Sequence, residues 1–332
     1  MEGQDGGRGP RVVAFGGGHG LAASLSALRR VTDSLTAIVT VADDGGSSGR
    51  LRRDLGVLPP GDLRMALAAL CGDDDWGSTW SRVVQHRFTA PGDLNNHAVG
   101  NLLIVALWDL LGDTVAGLDW VGRLLGARGR VLPMAAVPLD IAATVAGVHA
   151  DRPDEVTVVR GQVAVATAPG RVLGISLVPA DPPACQEAVK AVEDAEWVVL
   201  GPGSWFTSVL PHLMVPELAA ALVATPARRC VALNLAPQQG ETTGFSPEMH
   251  LEVLLGHAPD LRLDVVLADP RAVGDVAGLR AVVAGAGGEL VLADVAMDDG
   301  SPRHDPERLA AAYDGIFRRD RETGWARGAS GA

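Results

Sequence analysis

Short apolar runs that lead directly into loops rich in glycine, serine, threonine or aspartate recur along this chain. They lie at residues 11–15, 35–41, 197–200 and 230–235, and later apolar runs without such a loop lie at 263–267 and 289–293. Helical spacing follows the first run through Leu21, Leu25 and Leu28. Apolar strands that alternate with helices are typical of a parallel sheet covered on both faces. The sequence therefore predicts an α/β fold, in which loops at the carboxyl ends of the strands converge on a ligand crevice.

The middle of the chain is predicted to be helical first and β-rich afterwards. Asp62 is predicted to be the N-cap of a helix over 63–70. Further helices are predicted at 80–87, 101–111 and 115–125. The segments VTVV, VAVAT and VLGISLV then predict short strands at 156–159, 163–167 and 172–178.

These patterns predict one domain with an insertion. The domain comprises residues 11–130 and 180–320, the β-rich insertion comprises residues 131–179, and polar tails occupy residues 1–10 and 321–332.

Composition and charge exclude several classes of function. The net charge of −12 argues against general nucleic-acid binding, which needs a broad basic surface. No glycine loop ends in Gly-Lys-Ser or Gly-Lys-Thr, which excludes a P-loop NTPase. No apolar run approaches the ~20 residues that span a membrane, and Met1–Pro10 lacks the apolar core of a secretory signal. The chain is therefore predicted to be cytoplasmic, with Cys71, Cys185 and Cys230 as buried free thiols.

The first glycine-rich loop, at residues 16–20, stands between a predicted strand and a predicted helix. Glycine allows the backbone to approach a phosphate closely, and the following helix directs free N–H groups at the anion. The sequence GHGLAA at 18–23 fits G-x-G-x-x-A, and Asp43 stands near the place of the ribose-binding acid in dinucleotide folds. We predict a phosphate-binding loop here. A tight turn that binds no ligand is the alternative.

The second loop, DDGGSSGR at 43–50, weakens a standard NAD interpretation, because its glycines and serines are themselves typical of phosphate or sugar binding. Arg50 is predicted to bind an anion, against the ordinary alternative of a solvated helix face. Asp43 and Asp44 have three candidate roles: to cap the loop, to bind a ribose hydroxyl, or to hold a Mg²⁺ ion that bridges to phosphate oxygens.

Two later segments add polar groups to the predicted pocket. The sequence GPGSWFTS at 201–208 combines backbone donors with hydroxyl groups, as an anion site requires, although a plain turn is the alternative. Asn95, Asn96, His97 and Asn101 gather at one helix start, where hydrogen bonds to a base or sugar are predicted. No Ser-His-Asp order, H-E-x-x-H motif or paired catalytic carboxylate is visible, which favours binding over catalysis.

Several blocks of sequence together resemble the YvcK family. They are GGGHGL at 16–21, VTVADDGGSSGRLRRDLGVLPPGD at 39–62, HAVGNL at 97–102, GPGSWFTSVLP at 201–211 and QGETTGFSPEMH at 239–250. Members of this family are called gluconeogenesis factors and are related to the 2-phospho-L-lactate transferases of deazaflavin-cofactor synthesis. The resemblance covers residues 11–320 and is most specific in the block at 39–62.

The resemblance implies a Rossmann-like fold that binds UDP-N-acetylglucosamine. It also implies a regulatory role in growth on gluconeogenic carbon sources, and in cell shape through the supply of peptidoglycan precursors. The implied ligand-binding residues are Gly17, Gly18, Gly20, Asp43, Asp44, Ser47, Ser48, Arg50, Asn101, Gly201, Gly203, Ser204, Thr207 and Arg303. From the loops themselves we add His19, Gly46 and His97.

The chain departs from the family pattern at several positions. His19 stands where threonine is usual, so that hydroxyl contact is not expected. Met65 replaces the usual asparagine, and Pro306 stands where some relatives carry a threonine, so phosphorylation at that position is not expected.

A phospholactate-transferase activity, with Mg²⁺ held by Asp43 or Asp44, is the second hypothesis for the function, and an NAD(P)-binding protein is the third. Whether the chain forms a homo-oligomer is left open by the sequence.

Overall fold

A parallel sheet of seven strands forms the centre of the protein. The computed structural model describes residues 9–89, 91–238 and 240–323. The strands of this sheet are β1 (Val12–Gly16), β2 (Leu35–Val39), β3 (Arg130–Pro133), β7 (Trp197–Leu200), β8 (Arg228–Ala232), β9 (Val265–Ala268) and β10 (Glu289–Leu292). Their spatial order is β10-β9-β8-β7-β1-β2-β3, so the winding direction of the chain reverses between β1 and β7.

Helices flank the sheet, and the predicted Rossmann-like α/β fold is confirmed. All residues of β1, β7 and β9 are buried, which explains their unbroken apolar sequences. The helices are α1 (Gly18–Leu28), α2 (Gly46–Leu55), α3 (Gly61–Ala69), α4 (Asp75–Gln85), α5 (Val99–Leu111), α6 (Thr114–Leu125), α7 (Gln162–Ala166), α8 (Gln186–Asp194), α9 (Pro216–Ala224), α10 (Pro247–His257), α11 (Val276–Gly285) and α12 (Pro306–Thr323).

A second, antiparallel sheet of three strands accounts for the predicted β-rich insertion. Its strands are β4 (Asp140–Ala146), β5 (Val156–Arg160) and β6 (Arg171–Val178), in the order β5-β4-β6. The sheet begins later than the predicted boundary at 131, because Arg130–Pro133 pairs with β2 and belongs to the large sheet.

The predicted strand at 163–167 is wrong, because Gln162–Ala166 forms the short helix α7. Its alternating valines and alanines resemble a strand, yet Gly161 turns the chain out of β5 with a φ of +99°. The Asp44 carboxylate then accepts a hydrogen bond from the backbone N–H of Val163 at 3.0 Å. The hydrogen bond from Asp44, in a distant loop, thus caps a helix where the local sequence pattern predicts a strand.

Two helix starts also differ from the prediction. Asp62 is not an N-cap: α3 begins at Gly61, with Pro60 in the capping position, so Asp62 lies inside the first turn. Helix α4 begins at Asp75 rather than at 80, because the Asp74 carboxylate accepts from the backbone N–H of Gly77 at 2.7 Å.

The chain termini and the apolar helices complete the description. Of the predicted tails, residues 1–8 and 324–332 lie outside the described residues, and α12 extends past the predicted boundary to Thr323. Among the described helices, none alone has the length and apolar character to cross a membrane. Within the described part of the chain, one bent pair, Trp205–Met214 and Pro216–Ala224 at 80° to each other, is long and apolar enough when its two helices are taken together.

Candidate functional site

A cleft of about 730 Å³ lies at the carboxyl ends of β1, β7 and β8. We call it the main cleft. Of the predicted ligand-binding residues, those that line it are Gly17, Gly18, His19, Gly20, Gly203, Ser204, Thr207 and Arg303. A smaller pocket of about 200 Å³ adjoins it, and the predicted residues that line this pocket are Asp43, Gly46, Ser47 and Ser48. Twelve of the seventeen predicted residues are therefore divided between two compartments, and the remaining five line neither: Asp44, Arg50, His97, Asn101 and Gly201.

The first glycine-rich loop forms one wall of the main cleft. Helix α1 begins at Gly18, directly after β1; its capping residue, Gly17, has no side chain, and the Gly18 N–H is directed at the Asp62 carboxyl. Gly18 has a φ of +56°, a left-handed conformation that glycine adopts without strain. The first N–H groups of α1 have no partner within the helix and are placed to bind an anion in the cleft.

The second glycine-rich loop, after β7, packs against the first. A Cβ atom at Gly20 would overlap the carbonyl oxygen of Pro202 and the Cα atom of Gly203, so only glycine fits at position 20. Gly201 lies behind this contact and outside the cleft lining, and its carbonyl accepts a hydrogen bond from the Ser24 hydroxyl at 3.0 Å.

Side chains that follow β8 hold the second loop in place. Asn234 accepts from the Gly203 N–H and donates to the Gly203 carbonyl, both at 2.9 Å. The Gln238 amide donates to Ser204 Oγ at 3.1 Å. Both side chains line the main cleft and were missed by the sequence-based prediction, although the polar loop after this strand was a signal for them. Their contacts fix the backbone that lines the cleft.

Glu241 is a further residue that the prediction missed. Its buried carboxylate accepts from the Thr207 hydroxyl at 2.6 Å and from the Phe206 N–H at 3.0 Å. Burial raises the pKa of Glu241, and these hydrogen bonds oppose the rise. Because Thr207 lines the main cleft, Glu241 holds part of the cleft wall in position.

Asp62 lies between the two compartments and lines both of them. Burial raises the pKa of its carboxyl to about 7, the charge of Asp43 adds to the rise, and the Gly18 N–H and Arg64 oppose it. Its Oδ2 atom is buried and has no hydrogen-bond partner. The prediction gave this residue only a capping role, whereas the structure places an uncommitted carboxyl oxygen at the site.

Asp43 and Asp44 point to different neighbours. Asp43 accepts from the Gly45 N–H at 2.9 Å and lies beside Gly61, whereas Asp44 caps α7. Within the described parts of the chain, no cluster of three or more histidine, cysteine, aspartate or glutamate side chains is arranged to hold a metal. The carboxylates that the fold brings together are Asp43 and Asp62.

The predicted polar cluster around His97 serves mainly to join helices. Ser47 Oγ lies 3.0 Å from His97 Nδ1 and accepts from Asn101 Nδ2 at 3.0 Å, which ties the start of α2 to the start of α5. Burial lowers the pKa of His97, with the Arg50 charge adding to the effect. Arg50 itself donates to the Asn95 carbonyl at 2.6 Å. His97, Asn101 and Arg50 therefore lie outside both compartments.

The remaining walls come from the small sheet and from a late segment of the chain. Gln162 and Val163 of α7 line the cleft, and the Gln162 amide donates to the Thr207 carbonyl at 3.2 Å. Arg303 lines the opposite side and is held by Ser301 Oγ at 3.0 Å and by Asp299 at 2.7 Å. Its side chain is 68% exposed, so the guanidinium remains open to a ligand.

Comparison with known proteins identifies the family. A family model described as 2-phospho-L-lactate transferase CofD matches residues 12–285. The putative gluconeogenesis factor of Mycobacterium tuberculosis (strain ATCC 25618 / H37Rv) is 54% identical over 312 residues, which are 93% of this chain and 91% of that protein. The chain belongs to the CofD-like family of gluconeogenesis factors.

Two further relatives of this CofD-like chain agree with that assignment. The gluconeogenesis factor of Bacillus subtilis (strain 168) is 35% identical over 269 residues, or 81% of each protein. The crystal structure of a UPF0052-family protein from Bacillus halodurans superposes with a TM-score of 0.81 at 31% identity, covering 92% of this chain and 98% of that one. The predicted resemblance is confirmed. Arg303 lies beyond the residues that the CofD family model matches.

Proposed function

We propose that the main cleft binds a nucleotide sugar of the UDP-N-acetylglucosamine type. The observation that carries this proposal is the contact of the two glycine-rich loops, at Gly20 and Gly203, where the winding of the sheet reverses. Open α/β sheets bind their ligands at this point. The first turn of α1 provides backbone donors for a diphosphate there, beside the Gly18 N–H that is directed at Asp62.

The lining of the cleft supports a nucleotide sugar over a dinucleotide, and its size suits a small-molecule ligand. The volume of about 730 Å³ lies within the ~300–1,000 Å³ typical of small-molecule sites. Gln238 lines the cleft, and its amide oxygen is buried without a partner, so it can accept a hydrogen bond from a base or a sugar. Asp43 and Asp44, the candidate ribose-binding acids of the NAD(P) hypothesis, are not among the residues that line this cleft.

The biological role that we propose is regulatory: binding of the nucleotide sugar would adjust growth on gluconeogenic carbon sources and the supply of peptidoglycan precursors for cell shape. Support comes from the relatives named gluconeogenesis factors. Complementation tests this role, because a strain that lacks the gene should regain gluconeogenic growth with the wild-type chain and not with a variant that cannot bind the ligand.

Titration calorimetry tests the ligand. Wild-type protein should give saturable heat with UDP-N-acetylglucosamine and weaker binding with UMP, which lacks the second phosphate. Ser204→Ala should weaken binding by about fivefold to tenfold through loss of one hydroxyl contact. Ser26→Ala, a partly buried serine beside a different groove, should bind like wild type. Absence of heat with the nucleotide sugar, together with saturable binding of NAD, would overturn the proposal.

A transferase activity of the phospholactate class is the second candidate. It is favoured by the proximity of Asp43 and Asp62 and by the description of the matching family model. Carboxylate oxygens are ligands that Mg²⁺ prefers. Asp43 and Asp62, rather than Asp44, would hold the ion. The ion would neutralise negative charge on the transferring phosphoryl group. Incubation with the activated phospholactate nucleotide and a deazaflavin acceptor, followed by mass spectrometry, should then give a product that disappears with Asp62→Asn. No product in the presence of Mg²⁺ would exclude this activity.

A further inference from the structure

Helix α12 is connected to the main cleft by two buried hydroxyl groups. The Tyr313 hydroxyl lies 2.8 Å from the Ser24 Oγ atom, and Ser24 in turn donates to the Gly201 carbonyl at 3.0 Å. Tyr313 belongs to α12 and Ser24 to α1, whereas Gly201 is the first residue of the loop after β7. The three residues therefore join α12 to the loop that forms one wall of the main cleft.

The direction of these two hydrogen bonds follows from the chemistry of the hydroxyl groups. A serine hydroxyl has one proton to donate. Because Ser24 donates that proton to the Gly201 carbonyl, its oxygen accepts from Tyr313, and the Tyr313 hydroxyl is the donor. Burial raises the pKa of Tyr313, so the phenol keeps its proton at neutral pH. Hydrogen bonds in such a series strengthen one another, so loss of the first weakens the second.

Aromatic contacts hold the Tyr313 ring in place. The ring stacks on Phe317, one turn later in α12, with the centroids 6.1 Å apart and an angle of 11° between the planes. Phe317 packs against Trp197, the first residue of β7, with a centroid distance of 4.8 Å. Helix α12 thus contacts the start of β7 through Phe317 and the loop after β7 through Tyr313 and Ser24. These contacts fix the Tyr313 hydroxyl relative to Gly201.

The Gly201 carbonyl is the point at which Tyr313 and Ser24 can affect the main cleft. Gly201 has a φ of +74°, and a Cβ atom there would lie 2.9 Å from the Ala232 carbonyl oxygen, so this turn requires glycine. Pro202 and Gly203 follow directly and line the main cleft. A rotation of the peptide group at Gly201 would therefore shift residues of the cleft wall.

The hydrogen-bond partner distinguishes Tyr313 from an ordinary buried tyrosine. A buried phenol needs a partner, and any nearby carbonyl would meet that need. The partner here is the hydroxyl that already holds the loop after β7. Tyr313 is 0% exposed and is not among the residues that line the main cleft, so it does not touch a ligand there. Any effect of Tyr313 on ligand binding is therefore indirect.

We propose that Tyr313 is a positioning residue for the main cleft, which acts through Ser24 on the Gly201 carbonyl and so sets the loop that contains Gly203 and Ser204. By linkage, a ligand that orders this loop also strengthens the contact of α12 with α1. The effect on ligand affinity rests on the proposed function, whereas the effect on the loop does not.

Calorimetry with UDP-N-acetylglucosamine tests the proposal in a double-mutant cycle. Tyr313→Phe removes a single oxygen atom and should weaken binding by about threefold to tenfold. Ser24→Ala should weaken it at least as much, and in that background Tyr313→Phe should have no further effect. The matched control is Thr225→Val, which removes a buried hydroxyl that donates to the Val192 carbonyl at 2.9 Å, near the amino end of β8. It should lower the melting temperature and leave the affinity unchanged.

Nuclear magnetic resonance provides a readout at Tyr313 itself. Tyr313 is the only tyrosine in the sequence, so tyrosine labelled with ¹³C at Cζ gives one signal that reports on its hydroxyl. Saturating nucleotide sugar should shift this signal in the wild type and leave it unchanged in Ser24→Ala. A tyrosine that only stabilises the core would show no shift in either protein.

Hydrogen exchange without ligand separates this inference from the proposed function. In Tyr313→Phe, exchange should increase at residues 203–209, while α11 keeps its wild-type rates. If wild-type protein does not bind the nucleotide sugar, the proposed function fails and this exchange result alone decides the inference. The inference is overturned by wild-type exchange in the loop, by unchanged affinity in Tyr313→Phe, or by an equal effect of Tyr313→Phe with and without the Ser24 hydroxyl.

Discussion

Gly20 lies against Gly203 so closely that a Cβ atom at position 20 would overlap the Cα atom of Gly203. This contact joins the loop after β1 to the loop after β7, at the place where the sheet reverses its winding. The position of each loop therefore depends on the other, and both depend on the absence of a side chain at position 20.

Gly20→Ala tests this relationship. The added methyl group must displace backbone atoms of Pro202 and Gly203, so we expect a loss of stability of about 1–3 kcal/mol and at least about tenfold weaker binding of the nucleotide sugar. Chemical unfolding and calorimetry measure the two effects. Gly256→Ala in α10, where nothing lies within 4 Å of an added Cβ atom, is the control. It should retain affinity, and wild-type affinity in Gly20→Ala would contradict the claim.

Removal of the Glu241 carboxylate should displace Thr207. Glu241→Ala leaves the buried Thr207 hydroxyl and Phe206 N–H without their acceptor, at a cost of about 2–4 kcal/mol in unfolding free energy. Glu241→Gln keeps an amide oxygen as an acceptor, so its affinity and melting temperature should lie much closer to wild type. Equal losses of nucleotide-sugar affinity in the two variants would show that Glu241 does not act through these hydrogen bonds.

Asp44 should control the wall that the small sheet contributes to the cleft. Asp44→Ala removes the acceptor from the Val163 N–H, a change worth about 1 kcal/mol in local stability. Hydrogen exchange should increase at residues 162–167, with little change in the large sheet. Asp44→Asn retains an acceptor oxygen and should show a smaller increase. Unchanged exchange in Asp44→Ala would mean that the cap does not stabilise α7.

The stability of the protein should depend on pH through Asp62. Burial raises the folded-state pKa of Asp62 from 3.8 to about 7, so between these values the folded protein holds a proton that the unfolded chain has released. The contribution of Asp62 to the free energy of unfolding is therefore fully present at low pH, and it is lost as the pH rises towards the folded-state pKa. Asp62→Asn cannot ionise and should gain on the order of 3 kcal/mol relative to wild type between about pH 5 and pH 8.

Urea unfolding in the presence of EDTA measures this dependence. The difference between Asp62→Asn and wild type should grow from about pH 5 and level off above the folded pKa of about 7. Parallel stability curves for the two proteins would contradict the raised pKa.

Local patterns in the sequence were sufficient to predict six of the seven strands of the large sheet, all except Arg130–Pro133, and the glycine-rich loops. The strand predicted at 197–200 is observed as Trp197–Leu200, because a strand buried on both faces has a continuous apolar sequence. The strand predicted at 163–167 is wrong because its helix is capped by Asp44, 119 residues away. The secondary-structure propensity of neighbouring residues carries no information about a contact with a residue so far away in the sequence.

The composition of the site was less predictable than the fold for the same reason. Ser47, His97 and Asn101 have the polar character of ligand-binding residues, but the fold pairs them with one another. Asp62 resembles a helix cap in sequence and becomes a buried carboxyl only when α3 packs beside the loop at Gly17 and Gly18. The sequence reveals which polar residues follow strands, and only the folded chain shows which of them remain unpaired.

A crystal structure of the protein with bound UDP-N-acetylglucosamine tests the central claim most directly. We predict that the diphosphate lies at the N-terminus of α1, within hydrogen-bond distance of the backbone between Gly17 and Gly20, with Ser204 beside it and Arg303 across the cleft. A nucleotide sugar bound elsewhere, such as in the cleft at the opposite edge of the sheet beside Arg262 and Gly288, with the main cleft left open, would contradict it.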